Sequence, residues 1–439
     1  MVKLFSKEDV LKKAEEYHVK FVRLQFTDIF GVLKNVAITV EDLPRALDGL
    51  ILFDSSAVDG IVTEGETDIR LIPDPDTFVI FPWRPREGAV ARLICDVAKI
   101  DGTPYPGCSR GILKQTLKEM ADNNLNLYAG SRAEFFMFKV NESGQPTIIP
   151  HDLAGYCDLT PLDLGENARR EMVLTLEEMD IEIGSSHHEL APGQHEIVLK
   201  ADGALAMADK IATMRFVVRT IAQRHGLHAS FMPKPIEGVS GSGMHLHLTL
   251  FSEFTNIFFD AGVSNKLSDN AQHFMAGILE HARAITAITN PLVNSYKRLI
   301  PNDTAPRLRG WSIGNRATML RVPGETGGEV WIDVRTPDGA CNPYLALAVL
   351  AQAGYEGMRQ ELPLSKPLEC KPGSLFKTQN IFLPLNLGEA LESLHKDKMI
   401  SKVLGKHVMG FIQKVKQAEW NRYQEAVHPW EVNEYLSRY

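Results

Sequence analysis

The sequence predicts an α+β protein with a small N-terminal domain and a larger C-terminal one. Three observations predict it. Residues 1–100 hold one helical pattern followed by strand-like runs separated by turn signals. The segment Asp101-Gly102-Thr103-Pro104-Tyr105-Pro106-Gly107 interrupts every periodicity and marks a boundary. Over 105–439, helical patterns alternate with strand patterns, which suits a largely antiparallel sheet flanked by helices.

Each element has its own signal. Ser6 is a helix cap, and Val10, Leu11 and Ala14 follow at helical spacing, predicting a helix over 7–18. Strands are predicted at Phe21–Thr27, Gly31–Thr39, Ile69–Ile72, Thr77–Phe81 and Ala89–Val97. Pro73-Asp74-Pro75-Asp76 reads as a turn between the third and fourth. Later helices are predicted at Arg110–Asn123, Leu164–Met179, Gly203–His225, Asn270–Thr289 and Pro343–Glu361, and helices dominate Leu387–Leu436. The later strands are Ala133–Val140, Glu182–Ser186, Glu196–Leu199, Met244–Leu250 and Glu329–Arg335.

Composition narrows the function classes. With 55 acidic against 47 basic residues the net charge is −8, which argues against a general nucleic-acid or anionic-membrane surface. No run of 18 apolar residues exists, and the N-terminus has no apolar segment of signal-peptide type. Cys95, Cys108, Cys157, Cys341 and Cys370 are scattered without a CxxC pair. That pattern fits reduced thiols and a cytoplasmic setting.

Five segments could carry chemistry. In Ser186-His187-His188-Glu189-Leu190-Ala191-Pro192-Gly193-Gln194-His195-Glu196, Pro-Gly cannot continue a helix and turns between two strands. The turn can bring Glu189 and Glu196 together. Two neighbouring carboxylates suit a divalent cation with oxygen ligands; the alternative is a polar surface hairpin. In Arg132-Ala133-Glu134-Phe135, alternation puts Arg132 and Glu134 on one face. Glu134 is a site ligand or, more plainly, a paired core carboxylate. Gly241-Ser242-Gly243 leads into a strand with His245, His247 and Thr249 on one face. Imidazoles can ligate a metal and a glycine turn can approach phosphate, though such turns are common. Trp331, Asp333 and Arg335 share another face. Lys297, Arg298, Arg307, Arg309, Arg316 and Arg321 form a basic series. Charge runs are usually solvated, but this one lies between apolar segments, as a loop lining an anion site would.

Several collinear segments resemble glutamine synthetase of the shorter bacterial type. They are VKFVRLQFTDIFG, FDSSAVDG, SHHELAPGQHEI, HGLHASFMPKP, GSGMHLHLTLF, NSYKRLIP and NPYLALAVL, and the likeness runs nearly end to end. The resemblance implies a β-grasp-like N-terminal domain over 1–100 and a catalytic domain over 105–439. It implies stacked hexameric rings with active sites between neighbouring subunits. It implies a ligase that uses ATP to phosphorylate the glutamate γ-carboxylate before an amine attacks, assisted by Mg2+ or Mn2+. Position by position, it assigns Glu134, Glu189 and Glu196 to a first metal, and His245 and Asp333 to a second. Arg298, Arg335 and Gly241 match the glutamate grip. Arg316 and Arg321 match phosphate contacts. His247, Thr249 and Trp331 fall in the ATP pocket, and Asp54 matches the aspartate that a neighbouring subunit brings to the ammonium.

The departures gather in the site. Arg132 stands where the family has a glutamate ligand of the second metal, and Asp333 where it has another. Thr304 replaces the flap glutamate over the ammonium site, and Gly184 an acidic residue. Trp331 replaces an arginine, Ser240 an asparagine, and Arg307 and Arg309 replace uncharged residues. These changes predict one full metal site, with Arg132 paired to Asp333 and its guanidinium in the second cation's place. They also favour an amine carrying its own carboxylate over ammonium. The competing expectation is a catalytically impaired family member acting as a binding or regulatory partner.

Overall fold

The computed structural model describes the chain except residues 1–4, 57, 59, 61–67, 86, 264–265, 300–304, 324–329 and 369–381. Helix α1 (Lys7–Glu16) starts at Ser6, whose hydroxyl accepts from the Asp9 amide while Asp9 accepts from the Ser6 amide. Strands β1 (Val19–Thr27), β2 (Leu33–Thr39), β3 (Ile51–Asp54), β4 (Asp68–Ile80) and β5 (Ala89–Ala98) form one sheet in the order β2-β1-β5-β4-β3. Its apolar face buries Val22, Leu24, Ile69, Leu71 and Leu93 under α1 and the short α2 (Leu43–Leu47). The expected turn at 73–76 is instead an irregularity inside β4. Pairing with β5 skips from Asp74 to Val79 and then resumes. Proline cannot donate to the ladder, so Pro73 and Pro75 bend the strand without ending it.

The larger sheet is built on β6 (Asn126–Val140). Around it lie β7 (Pro146–Pro150), β8 (Ile183–His188), β9 (Gln194–Gly203), β10 (Leu227–Ser230), β11 (Met244–Ser252), β12 (Thr255–Asn256), β13 (Leu308–Ile313), β14 (Thr318–Val322) and β15 (Ile332–Val334). The main order is β13-β14-β15-β11-β6-β9-β8. Every pairing is antiparallel except β13 with β14.

Helices α3 (Ser109–Ala121), α4 (Glu166–Glu178) and α5 (Ala204–Arg224) pack behind this sheet, with α5 against β6 and β9. The predicted helix over 270–289 is two, α6 (Asp269–Glu280) and α7 (Ala282–Thr289), followed by α8 (Val293–Arg298). Apolar α9 (Pro343–Arg359) is wrapped by α3, α5 and α6, and is capped by Asn342. The Asn342 side chain also donates to the Ile29 carbonyl, a contact that joins the two domains. Gly31 faces it with φ of 79°, and a Cβ there would lie 2.6 Å from Asn342 Cα.

The domains also meet through a charged knot. Arg110 on α3 donates to Asp74 and Asp96 of the first domain and to Asp209 of α5, at 2.7–3.0 Å. Among the described residues no helix is long and apolar enough to cross a membrane.

Candidate active site

Five adjacent strands present one polar face. Register decides which side chains meet. Across β6 and β9, Glu134 lies opposite Glu196. Across β6 and β11, Arg132 lies opposite His245. His187 on β8 lies opposite Glu196, and Asp333 on β15 lies opposite His247. The resulting cleft has a volume of about 160 Å3. Arg132, Glu134, Glu189, Glu196, Ser240, Gly241, His245, Arg298, Arg316, Arg321 and Arg335 all line it.

The β8–β9 end is acidic. The hairpin turn closes with the Glu189 amide donating to the Gln194 carbonyl at 2.7 Å, and Gly193 sits at φ of 67°. Ligand atoms of His187, Glu189 and Glu196 then lie within 4.8 Å of one another. Glu134 is half-buried beside them. Its carboxylate accepts from the Gly243 amide at 2.8 Å and from Gln194 Nε2 at 3.2 Å. Burial, then the charges of Glu189 and Glu196, push its pKa up to about 7. Three converging carboxylates offer hard oxygen donors that fit a divalent cation such as Mg2+ or Mn2+.

The β11–β15 end is basic. Fully buried Asp333 faces Arg321 Nε at 3.3 Å and Arg335 Nη1 at 3.4 Å. His245 and His247 approach its other oxygen only to 3.9 and 3.7 Å. Burial, then Arg335, Arg298 and Arg132, hold His245 well below the usual imidazole range, so it is neutral. One carboxylate among guanidiniums is a poor seat for a second divalent cation.

Arg132 corrects an expectation. Its Nε and Nη2 donate to Glu196 Oε1 at 3.1 and 2.8 Å, not to Asp333. Glu196 is a diagonal neighbour on the adjoining strand, within reach of a long side chain, whereas Asp333 lies two strands away. The guanidinium therefore bridges toward the acidic end.

Arg298 donates to the Thr336 and Arg335 carbonyls at 2.7 and 3.0 Å. The glycine turn makes room for it: a Cβ at Gly243 would lie 2.4 Å from Arg298 Nη2. Arg335 Nε donates to the Arg316 carbonyl at 3.1 Å. Thr249 donates to the Val330 carbonyl, and Trp331 lies 6.0 Å from His247, ring centre to ring centre.

Other members of the basic series are elsewhere. Arg307 lies over the Phe382 ring at 4.2 Å, and Arg309 donates to the Leu279 carbonyl beside Glu280. Lys297 sits over Tyr423. None of the three lines the cleft. Arg307 and Arg309, two of the charges behind the expected preference for a carboxylate-bearing amine, thus lie outside this cleft. Asp54 ends β3, exposed, accepting from the Ser56 amide at 2.8 Å, and it does not line this chain's own cleft. Gly184 is exposed on β8, and Thr304 lies outside the described residues.

Sequence reasoning missed several contributors. Gln194 shares a face with Glu196 two residues on and binds Glu134; that alternation was available to find it. His187 donates toward Glu189 Oε1 at 3.2 Å, and that hydrogen bond raises its pKa. Tyr156 lines the cleft, edge-on to His187 at 5.3 Å. Nothing in its own segment marked it, because a loop delivers it from a distance.

Two family models match. The β-grasp domain of glutamine synthetase matches residues 18–100, and its catalytic domain matches residues 106–435. The chain belongs to the glutamine synthetase family. It is 48% identical over 440 residues to the glutamine synthetase of Clostridium saccharobutylicum, spanning 99% of each chain. The glutamine synthetase of Thermus thermophilus is 47% identical over 444 residues, 99% of this chain and 100% of the relative. A solved GmaS/ADP complex aligns with a TM-score of 0.88 at 29% identity, covering 100% of both chains. GmaS without ligand aligns with the same TM-score over 98% of this chain and 99% of that one. These findings bear out the family, the ligase class and the α+β fold with its β-grasp domain.

Proposed function

We propose that this family member is an ATP-dependent ligase joining an amine to the γ-carboxyl of glutamate, with one divalent cation per site. One observation carries the reading: Glu134, Glu189 and Glu196 converge in the same cleft as Arg298, Arg316, Arg321 and Arg335. A cation held by the three carboxylates would offset phosphate charge as the phosphoryl group moves. Arg298, Arg335 and the backbone at Gly241 grip glutamate. His247, Thr249 and Trp331 take the nucleotide, while Arg316 and Arg321 meet the phosphates.

In the first step a γ-carboxylate oxygen attacks the γ-phosphorus and the bond to ADP breaks. Guanidiniums already aimed into the cleft stabilise the spreading charge without reorganising. In the second step the amine nitrogen attacks the acyl carbon, the amine loses a proton and phosphate leaves. Asp54 of a neighbouring copy suits reception of that proton, since it is exposed at a strand end and outside its own cleft. That role supports assembly into stacked hexameric rings. The absence of a CxxC pair among the cysteines supports a cytoplasmic setting.

Arg132 supplies a fixed positive charge where the family has a second-metal ligand. Its bond to Glu196 supports a single exchangeable cation beside a resident guanidinium. Phosphate release from ATP and glutamate, measured across ammonium and larger amines, tests the proposal. Release is expected only when glutamate and an accepted amine are both present. Absence of release with every amine would overturn it and leave the impaired-partner reading.

A further inference from the structure

Behind the acidic hairpin lies a buried polar cluster with no role in the chemistry above. Its centre is Asp152, on the loop between β7 and α4. Asp152 Oδ1 accepts from the Gly193 amide at 3.0 Å and faces His188 Nε2 at 3.1 Å. Its Oδ2 accepts from the Leu164 amide at 3.1 Å and faces His151 Nε2 at 2.9 Å. Both hairpin partners sit at decisive places. Gly193 is in the turn, and His188 immediately precedes Glu189, whose carbonyl its Nδ1 contacts at 2.7 Å. The same loop carries Tyr156, and the Cys157 amide donates to the His188 carbonyl at 3.0 Å. On the far side, Arg169 of α4 donates to Asp163 at 2.7 Å and to His195 Nδ1 at 2.9 Å.

The cluster is not a second cation site. Arg169 already supplies a positive charge, and the oxygens of Asp152 and Asp163 are occupied by backbone amides and side-chain donors. Its geometry is that of a clamp. One carboxylate holds the hairpin turn, the strand end and the Tyr156 loop as a unit.

We propose that Asp152 is a positioning residue that sets the cation affinity of Glu134, Glu189 and Glu196 by fixing the hairpin that carries two of them. This rests on the reading that those carboxylates hold a divalent cation. Hydrogen-bonded supports behind metal ligands typically change metal affinity about 10- to 100-fold when removed.

The test titrates Mn2+ into the full-length protein, reading free Mn2+ by electron paramagnetic resonance. Asp152→Asn keeps the shape and removes the charge. It is expected to weaken Mn2+ binding about 10- to 100-fold, and excess Mn2+ is expected to restore phosphate release. Asp209→Asn in the interdomain knot is the control, lowering Tm while leaving Mn2+ affinity unchanged. Should Asp152→Asn not fold, His188→Asn cuts the same link from the hairpin side and is expected to weaken binding likewise. Unchanged Mn2+ affinity in the variant overturns the role of Asp152 alone, as does a rate that excess Mn2+ fails to restore. Absence of Mn2+ binding by the unaltered protein overturns the cation reading and this inference with it.

Discussion

The two ends of the cleft are built from the same sheet face yet solve opposite electrostatic problems. At the β8–β9 end three carboxylates converge, and Glu134 reacts by holding its proton up to about pH 7. At the β11–β15 end Asp333 is buried, but Arg321 and Arg335 already neutralise it. The first end offers oxygen donors suited to a divalent cation; at the second, guanidiniums of the chain itself face the carboxylate. A buried charge must be compensated, and the compensating partner can be an ion or a side chain. Arg132 joins the two ends, rooted at the basic one and bonded to Glu196 at the acidic one.

The comparison breaks most severely if the acidic end is dismantled. Glu189→Ala removes an oxygen ligand and is expected to lower phosphate release about a thousandfold, several kcal/mol of transition-state stabilisation. Steady-state kinetics at saturating Mg2+ checks it. A loss under tenfold would mean that the three carboxylates do not hold the working cation.

Arg132→Glu tests the other end. Restoring a carboxylate beside His245 and Asp333 is expected to raise Mn2+ binding from one to two ions per chain, countable by calorimetry. Combined with Thr304→Glu, it is expected to raise ammonium-dependent release. If the ion count stays at one, Arg132 is not what keeps the second ion out.

A third prediction concerns pH. In metal-free protein Glu134 binds its proton more tightly when folded, its pKa being raised from 4.5 to about 7. The folded state then holds more protons than the unfolded one across that window, so stability falls as pH rises through it. With a chelator present, Tm is expected to drop between roughly pH 4.5 and 7. Glu134→Gln is expected to flatten that slope, and an unchanged slope would assign it to another group.

The smallest effect is expected at Arg309→Ala. Arg309 sits beside Glu280, outside the cleft. The change is expected to lower stability by about 1 kcal/mol or less and leave the KM for any accepted amine within twofold. A large KM change would return Arg309 to the site.

Legibility followed the length scale of each feature. Ser6, the apolar periodicities and the Pro-Gly turn are local signals, and the elements they predict are present. The turn at Pro73–Asp76 failed because β4 pairs with β5, a partner distant in sequence, on both sides of the irregularity. The helix over 270–289 divided at His281, whose backbone leaves the helical region at φ of −94° and ψ of 6°. Glu134, Glu189 and Glu196 were legible as acidic residues in suggestive spacing. Tyr156 and Asp152 were not, because their loop acquires meaning only when folded onto the hairpin.

By itself, the sequence determined the family, the α+β layout and the inventory of charges that must share a cleft. Residue types and local spacing carry that information. Only the tertiary structure decided how the charges pair. Strand register put Arg132 diagonal to Glu196 and two strands from Asp333, while Arg307 stacks on Phe382 and Arg309 bonds the Leu279 carbonyl. Electrostatic attraction falls off over a few ångströms in a partly solvated cleft, so the pairing belongs to whichever neighbour the fold brings closest.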